Sequence, residues 1–257
     1  MENLFSLSGK NALVTGGAAG IGFAMGLALA RAGANLYFCS SRSDHRDAGA
    51  AAYRAAGVEA AGLAADVTDA AQVDAMVRAV AGGVDILVNN AGRIQRTPLC
   101  DMDPADFRAI VDVDLTAPFL VSRAVLPGMV EKGRGKIINV CSLMSEVGRE
   151  TVSAYAAAKG GLKMLTKNIA AEYGAYNIQC NGIGPGYIAT SQTAPLRQPG
   201  TDGSMHPFDA FLRGRTPAGR WGQPDDLAGP VVFLASDASN FVNGHILYCL
   251  LYTSRCV

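Results

Sequence analysis

Short apolar runs alternate along the chain with longer segments in which apolar residues recur at helical spacing. The runs that predict strands fall at residues 10–14, 35–39, 58–65, 84–88 and 177–183, and another ends at Cys141. Between them, residues 22–32, 44–56 and 69–81 and the alanine-rich segment around Tyr155 predict helices. Strands and helices that alternate with short connections are typical of right-handed crossovers and of a parallel sheet buried on both faces. Because no linker or low-complexity tract divides it, the chain, residues 1–257, is predicted to be a single α/β domain.

Two segments depart from this regular alternation. Asp103 is expected to cap a long helical segment with Pro104 in its first turn, and Pro118 is expected to kink that segment. Residues 191–217 are rich in proline, glycine and polar residues, which is typical of a lid over a functional site or of a disordered segment. We expect a lid that closes over a substrate, with His206 as an exposed loop residue.

A glycine-rich turn joins the first predicted strand to the first predicted helix. Its sequence, Thr-Gly-Gly-Ala-Ala-Gly-Ile-Gly, occupies residues 15–22. Gly16 permits a tight turn, Gly20 lets backbone amides approach a pyrophosphate, and Gly22 lets the helix pack on the strand. A plain glycine turn is the alternative. The position between a strand and a helix favours a dinucleotide site, which would also involve Ala19 and Ile21.

The end of the second predicted strand indicates which dinucleotide binds. An acid about 20 residues beyond the glycines binds the ribose 2′-hydroxyl of NAD, whereas an arginine without that acid accommodates the 2′-phosphate of NADP. Here Ser40 takes the place of the acid, and Arg42 follows two residues later. Asp44 and Asp47 could supply opposing charge. The pattern therefore favours NADP and leaves NAD open.

Three residues capable of proton transfer follow the apolar run that ends at Cys141. Ser142 ends the predicted strand, and the four-residue spacing of Tyr155 and Lys159 places phenol and ammonium on one helix face. A lysine cation favours the phenolate form of a neighbouring tyrosine, and a serine hydroxyl can polarise the substrate oxygen. An ordinary surface helix is the alternative interpretation.

The predicted strand ends also carry the glycine turn, Asp66, Asn90, Pro185 and Gly186. Ligands of parallel sheets bind at this edge, which favours catalysis.

Composition limits the partners of the protein. Lysines and arginines number 22, as do aspartates and glutamates, so no basic field is available to attract nucleic acid. No apolar run reaches the roughly 18 residues that a membrane helix needs, and the N-terminus has no signal-like pattern. The six cysteines lack paired spacing, which argues against a metal site and against disulfides, and favours the reducing cytoplasm.

Together these motifs resemble those of the short-chain dehydrogenase/reductase family. The likeness covers about residues 8–248 and rests on Thr15-Gly-x-x-x-Gly-x-Gly22, Asn89-Asn-Ala-Gly92, Ser142, Tyr155-x-x-x-Lys159 and Pro185-Gly186. It implies a Rossmann-like, doubly wound parallel sheet of about seven strands with helices on both faces, usually in a homotetramer. It also implies hydride exchange between a nicotinamide and a carbonyl or alcohol. Tyr155 would be the acid/base, Ser142 would orient the reacting oxygen, and Lys159 would bind the nicotinamide ribose. Other cofactor contacts would come from Asp66, Val67, Asn90, Ala91, Gly92, Pro185, Gly186, Ile188 and Thr190.

More narrowly, residues 141–151, 181–190 and 194–197 resemble gluconate 5-dehydrogenases, which interconvert D-gluconate and 5-keto-D-gluconate. A sugar acid needs a cation for its carboxylate, and of Arg93, Arg96 and Arg149 we favour Arg96. Glu146 could accept a hydrogen bond from a hydroxyl. For each of these residues a solvated surface charge is the alternative. Another keto sugar acid, such as a deoxygluconate, or a non-sugar carbonyl stays open as the substrate, and a noncatalytic dinucleotide-binding sensor is the alternative outside the enzymes.

Two places depart from the family pattern. Asp114 stands where the family commonly has an asparagine that holds a water linked to Lys159. A carboxylate can also accept from a water but adds charge beside the lysine, so Asp114 is a fourth candidate catalytic residue. After Tyr248 the usual Val-Asp-Gly-Gly is missing, and residues 249–257 are expected to form an atypical tail that weakens the tetramer.

Overall fold

Seven parallel strands form one sheet in the computed structural model, which describes residues 3–200 and 202–249. The strands are β1 (Asn11–Thr15), β2 (Asn35–Ser40), β3 (Ala60–Ala64), β4 (Ile86–Asn89), β5 (Gly135–Val140), β6 (Ile178–Pro185) and β7 (Ile246–Cys249). Their spatial order is β3-β2-β1-β4-β5-β6-β7, so the direction of winding reverses between β1 and β4. This order confirms the predicted Rossmann-like, doubly wound sheet.

Helices cover both faces of the sheet. The α-helices of the described chain are α1 (Gly20–Arg31), α2 (Ser43–Ala55), α3 (Ala70–Arg78), α4 (Pro104–Val111), α5 (Ala117–Lys132), α6 (Ser153–Tyr173), α7 (Pro207–Arg215) and α8 (Ala228–Ala235). One apolar core lies under α3, α5 and α6, and the other lies under α1, α2 and α8. Successive strand residues alternate between the two cores: Leu13 packs into the first, whereas Ala12 and Val14 pack into the second. This alternation explains why apolar residues face both sides of the central strands.

The long helical segment that begins after Asp103 is interrupted by a turn of a different helix type. Asp103 caps α4 by accepting from the N–H of Ala105, as predicted. The helix then widens into a π-helical turn over Asp112–Thr116 before α5 begins. Pro118 lies in the first turn of α5, where it has no N–H to donate to the preceding turn. The segment is therefore interrupted near Pro118 as expected, in the form of a π-helical turn that includes Asp114, the residue four positions before the proline. A bend of the helix axis at Pro118 stays a prediction.

Residues 191–217 contain more regular structure than their composition indicates. A 3-10 helix spans Ser191–Arg197, and α7 follows at Pro207–Arg215. His206 is half-buried as the N-cap of α7, because its Nδ1 accepts from the N–H of Phe208 at 3.1 Å. The expectation of an exposed loop histidine was wrong. The lid function of this segment stays a prediction.

The strand β7 ends the described chain by pairing with β6, Ile246 opposite Gly182 and Cys249 opposite Pro185. Residues 250–257, most of the atypical tail, lie outside the described residues, and its effect on a tetramer stays a prediction. In the described ranges, no helix has the length and apolar character to cross a membrane. The same ranges hold no group of three His, Cys, Asp or Glu side chains placed to bind a metal ion.

Candidate active site

The carboxyl ends of the central strands open onto two adjoining cavities. One is lined by residues of the glycine turn, the end of β4 and α6, among them Gly16, Ala19, Gly20, Ile21, Gly22, Asn90, Ala91, Gly92, Asp114, Tyr155, Lys159 and Thr190. The other is lined by residues that include Arg96, Ser142, Arg149, Tyr155, Pro185, Gly186, Ile188 and Thr190. Tyr155 lines both cavities. The fold thus brings most of the predicted site residues to one edge of the sheet, with the phenol where the cavities meet.

The glycine turn is held in shape by Thr15 and Asn90. The side-chain amide of Asn90 donates to the carbonyl oxygens of Thr15 and Gly16 at 2.9 and 3.1 Å, and its backbone N–H donates to Thr15 Oγ1 at 2.9 Å. Gly16 has a φ of 63°, which favours glycine. A Cβ on Gly22 would lie 2.4 Å from Asn90 Nδ2, so no side chain fits where α1 crosses the turn.

The N-terminus of α1 has the features of a phosphate-binding site. The helix begins at Gly20, and the preceding Ala19 supplies no side-chain cap, so the first-turn amides are left for a ligand. No acidic residue lies in the first turn to repel an anion. A Cβ on Gly20 would meet only the methyl group of Thr190, at 3.9 Å, so the approach to these amides is open. The cavity therefore fits a dinucleotide with its pyrophosphate at this helix end.

Lys159 lies almost completely buried below Tyr155 on α6. Its Nζ donates to the carbonyl oxygen of Val140 at 2.8 Å, lies 3.2 Å from Asp114 Oδ2, and is 5.5 Å from the centre of the Tyr155 ring. Burial acts to lower the pKa of Lys159, but the charges of Asp114 and Tyr155 outweigh burial and raise it. The lysine is therefore a cation beside the phenol, as the four-residue spacing predicted.

The π-helical turn brings Asp114 into this cluster. The Asp114 side chain is fully buried, and its Oδ1 accepts from the backbone N–H of Arg93 at 2.7 Å. Gly92 makes room for the carboxylate, because a Cβ there would lie 3.0 Å from Asp114 Oδ2. Burial raises the pKa of Asp114, while the Lys159 cation and the Arg93 N–H act against that shift. The departure from the family's asparagine thus places a buried carboxyl group 3.2 Å from the ammonium of Lys159.

Ser142 ends the strand-to-helix turn with its hydroxyl on the second cavity. Its Oγ accepts from the N–H of Met144 at 3.1 Å, and its backbone N–H donates to Ser145 Oγ at 3.2 Å. Since a hydroxyl both accepts and donates, the proton of Ser142 is left available for a ligand oxygen. This arrangement suits the role of orienting a reacting oxygen that the sequence assigned to it.

Of the three candidate arginines, Arg96 is the one whose guanidinium is available to a ligand. It lies exposed on the rim of the second cavity, and no partner for its side chain is found in the described part of the chain. Arg149 also lines that cavity, but it donates to Tyr187 Oη at 2.8 Å and stacks 4.8 Å from the centre of the Phe208 ring. Arg93 lies on the other cavity, where its side chain reaches Gln95 at 3.4 Å.

Glu146 points away from the predicted substrate position. Its carboxylate accepts from Lys163 Nζ at 2.6 Å and from the hydroxyl of Tyr248 on β7, and these hydrogen bonds lower its pKa. It is absent from the described lining of both cavities. The expectation that Glu146 accepts from a substrate hydroxyl was wrong here, because a helical lysine satisfies the carboxylate.

The residues predicted for the adenosine half are divided: Asn90, Ala91 and Gly92 line the first cavity, whereas its described lining does not include Ser40, Arg42, Asp66 and Val67. Arg42 is exposed and donates to Asp44 through Nε at 3.1 Å. Asp44 therefore supplies the opposing charge that the sequence indicated. This hydrogen bond lowers the pKa of Asp44 to about 2. Ser40 Oγ accepts from the N–H of Arg42 at 3.3 Å. Asp66 is exposed and bonds to Thr68, whereas the neighbouring Val67 is buried. Their cofactor contacts stay predictions.

An aromatic cluster beside the second cavity was missed by the sequence analysis. Tyr187, Phe208 and Trp221 have ring centres 5.4 to 6.4 Å apart. The guanidinium of Arg149 lies over the rings of Tyr187 and Phe208, and that of Arg197 lies over Trp221. The indole N–H of Trp221 donates to Asp209 at 2.8 Å, which ties α7 to the cluster. A signal did exist, because Tyr187 directly follows Pro185-Gly186 and Trp221 is the only tryptophan of the chain. The sequence does not show that the three separate segments carrying Tyr187, Phe208 and Trp221 come together in the fold.

Comparison with known proteins agrees with this geometry. Residues 10–200 match the family described as short chain dehydrogenase. The 2-dehydro-3-deoxy-D-gluconate 5-dehydrogenase of Formosa agariphila is 53% identical over 250 residues, which cover 96% of this chain and 93% of that one. This chain belongs to the short-chain dehydrogenase family. The gluconate 5-dehydrogenase of Gluconobacter oxydans is 41% identical over 251 residues, 95% of this chain and 94% of that protein.

Solved structures extend the agreement to three dimensions. A 2-keto-3-deoxy-D-gluconate dehydrogenase from Streptococcus agalactiae has a TM-score of 0.82 at 62% identity, covering 95% of this chain and 93% of that one. A gluconate 5-dehydrogenase from Burkholderia cenocepacia, solved with NADP and tartrate, has a TM-score of 0.91 at 41% identity, covering 99% and 98% of the two chains. The present chain is therefore an NAD(P)-linked oxidoreductase of this family.

Proposed function

We propose that this short-chain dehydrogenase interconverts a hydroxyl and a keto group at C5 of a six-carbon sugar acid, with NADP as its preferred cofactor. The observation that carries the proposal is the placement of Arg96. An exposed guanidinium without a partner in the described chain lies on the same cavity as Ser142 and Tyr155. Arginine matches the planar geometry of a carboxylate, so it can hold the acid end of a substrate while another carbon faces the phenol.

Two substrates fit this reaction. Identity favours 2-keto-3-deoxy-D-gluconate, because the relatives at 53% and 62% carry that specificity in their names. D-gluconate, which the sequence motifs favoured, is the second candidate, supported by relatives at 41% to 42% identity. Apolar side chains from Ile94, Leu143, Met144 and Val152 also line the cavity. Such a lining favours the substrate with fewer hydroxyl groups.

The site residues divide the reaction between them. When bound, the nicotinamide supplies the hydride acceptor or donor. Tyr155 takes the proton of the reacting hydroxyl during oxidation and returns it during reduction. Ser142 donates its hydroxyl hydrogen to the same oxygen, and Lys159 stabilises the phenolate from 5.5 Å below the ring centre. Removal of the hydroxyl proton and of the hydride together leaves a ketone.

The preference for NADP rests on Arg42. Its guanidinium donates to Asp44 through Nε at 3.1 Å, so it can reach a 2′-phosphate only by competing with that carboxylate. Removing the competing charge should therefore strengthen NADP binding selectively. We expect Asp44→Asn to raise the ratio of NADPH to NADH affinity about threefold to tenfold, measured by quenching of Trp221 fluorescence. Asp47→Asn, the same change one helical turn later, is the matched control. A fall in the ratio would contradict the assignment of Arg42.

The substrate is tested by following oxidation of NADPH with 5-keto-D-gluconate and the 2,5-diketo form of 3-deoxygluconate, beside ketones that lack a carboxylate. We expect turnover with the two acids and little with the neutral ketones. Arg96→Gln should raise KM for the acids about tenfold to hundredfold and leave kcat for a neutral ketone unchanged. Arg93→Gln is the control on the neighbouring cavity. Equal turnover of acids and neutral ketones would overturn the proposed substrate class.

A further inference from the structure

The buried contact between Asp114 and Lys159 carries an inference about how the acid/base is tuned. We propose that Asp114 is an ionised positioning residue that opposes part of the Lys159 charge and so raises the pH at which Tyr155 gives up its proton, compared with the same site carrying a neutral residue. The inference rests on the proposed function of Tyr155 as the acid/base. It concerns the carboxylate itself, which stands where the family commonly has a neutral asparagine.

The first support is geometric. Asp114 Oδ2 lies 3.2 Å from Lys159 Nζ, and both side chains are at most 5% exposed. Charges at this distance with little access to solvent interact strongly, because water screens them poorly. Lys159 also approaches the Tyr155 ring, so one cation is shared between two groups that can be anionic. An ionised Asp114 would repel a phenolate on Tyr155, and this repulsion would offset part of the attraction that the phenolate experiences from Lys159.

The second support is that backbone structure fixes the position of the Asp114 carboxylate. The π-helical turn over Asp112–Thr116 orients Asp114 inward, and the backbone N–H of Arg93 holds Oδ1 at 2.7 Å. A backbone donor of this kind favours the ionised carboxylate over the neutral acid. The other oxygen, Oδ2, is buried and accepts no hydrogen bond of ordinary geometry in the described chain, so its charge is directed at Lys159 alone.

Few other titratable groups face this pair. Tyr155 approaches from α6, Cys141 from the end of β5, and Arg93 from the loop after β4. Burial raises the pKa of the Cys141 thiol to about 11, so it is neutral in the working range. Burial also raises the pKa of Asp114, which acts against the proposal and makes the ionisation of this carboxyl the point to be tested.

The test compares Asp114→Asn with the unchanged protein by ultraviolet titration of phenolate. Subtracting the titration of a Tyr155→Phe version from each background isolates the signal of Tyr155. We expect the Tyr155 phenolate to form about one pH unit lower in Asp114→Asn, because a neutral amide leaves the whole Lys159 charge to the phenol. The pH at which the rate of sugar-acid oxidation rises should also be lower in Asp114→Asn, by the same amount. Asp112→Asn, the same change at an exposed position of the same turn, should move neither curve.

The outcomes separate this inference from the proposed function. An unchanged Tyr155 titration in Asp114→Asn would overturn the inference, since Asp114 would then be neutral. An equal shift in Asp112→Asn would overturn it too, because the effect would be one of net charge. If Asp114→Asn does not fold, Asp114→Ser provides the same neutral comparison with a smaller side chain. If the titration shifts as expected but no sugar acid is turned over, Asp114 is assigned correctly and the proposed function alone fails.

Discussion

The two walls of the active-site cleft are built in different ways. One wall, which we call the catalytic wall from its proposed role, consists of Ser142, Tyr155, Lys159 and Asp114. It is held by backbone carbonyl and N–H groups near strand ends and by the π-helical turn. The substrate wall, which we define as residues 187–200 and 202–221, has hydrogen bonds to backbone groups of its own but meets the rest of the cavity through side chains. Arg149 contacts Tyr187 and Phe208, and within the wall Trp221 donates to Asp209. Backbone contacts fix a reaction geometry, whereas side-chain contacts can be exchanged without changing the fold. A family can therefore keep its chemistry and vary its substrates.

The largest expected difference between the walls comes from removing one phenol hydroxyl on each. Tyr155→Phe should lower kcat about 10²- to 10⁴-fold and leave NADPH affinity nearly unchanged, because it deletes the proton-transferring group. Tyr187→Phe makes the same chemical change on the substrate wall, where it removes only the hydrogen bond from Arg149, and should cost less than about tenfold in KM. Steady-state rates and NADPH titrations measure both. Comparable losses in kcat would show that the walls do not differ in this way.

A second test adds a methyl group to Gly22 in the glycine turn. In Gly22→Ala, the new methyl group would lie 2.4 Å from Asn90 Nδ2 and 2.5 Å from the Gly16 carbonyl oxygen, so the turn must shift. We expect dinucleotide affinity to fall about tenfold or more and stability to fall by about 1–3 kcal/mol. Gly128→Ala, at an exposed position of α5 with open space around it, should instead be neutral or slightly stabilising. Thermal melting and NADPH titration distinguish the two variants.

The substrate wall should respond more mildly. Phe208→Leu removes the aromatic face that lies 4.8 Å from the Arg149 guanidinium, a contact worth about 0.5–2 kcal/mol. We expect a rise in KM for the sugar acid of about twofold to tenfold with kcat retained, and a change in Trp221 emission. Phe211→Leu is the control on the same helix, because Phe211 is half exposed and stacks with Arg215 instead. A loss of kcat in Phe208→Leu would place this residue with the catalytic wall.

The smallest effect is a response of the substrate wall to acid. The side chains of Arg213 and Trp221 donate to Asp209 and lower its pKa below the ordinary value. Its stabilisation of α7 is therefore complete above about pH 4 and is lost as the pH falls through the lowered pKa. We expect Trp221 emission to stay constant from neutral pH to about pH 4 and to change below it. In Asp209→Asn, Trp221 emission should already differ from that of the unchanged protein at neutral pH, and the change below about pH 4 should be absent.

The two walls also differ in how far the sequence predicted them. Ser142, Tyr155 and Lys159 were predictable as a group because Ser142 follows a strand, the carboxyl ends of parallel strands share one edge, and the four-residue spacing places the tyrosine and the lysine on one helix face. The substrate wall was predicted only as an irregular lid, since its proline and glycine content concealed a 3-10 helix and α7. Glu146 was misassigned because nothing in the local sequence shows that Lys163 and Tyr248 reach its carboxylate.

The alternation of apolar runs and helical segments determined the parallel sheet by itself, and the glycine turn, Ser142 and the Tyr155–Lys159 spacing determined where its chemistry lies. Both are local patterns, governed by the periods of strand and helix and by backbone sterics. Tertiary structure alone decided that Arg149 is enclosed by aromatic rings while Arg96 stays open, and that Asp114 faces Lys159. Those outcomes depend on which distant segments meet, and the free energy of such meetings is set by burial and pairing in three dimensions rather than by neighbours in the chain.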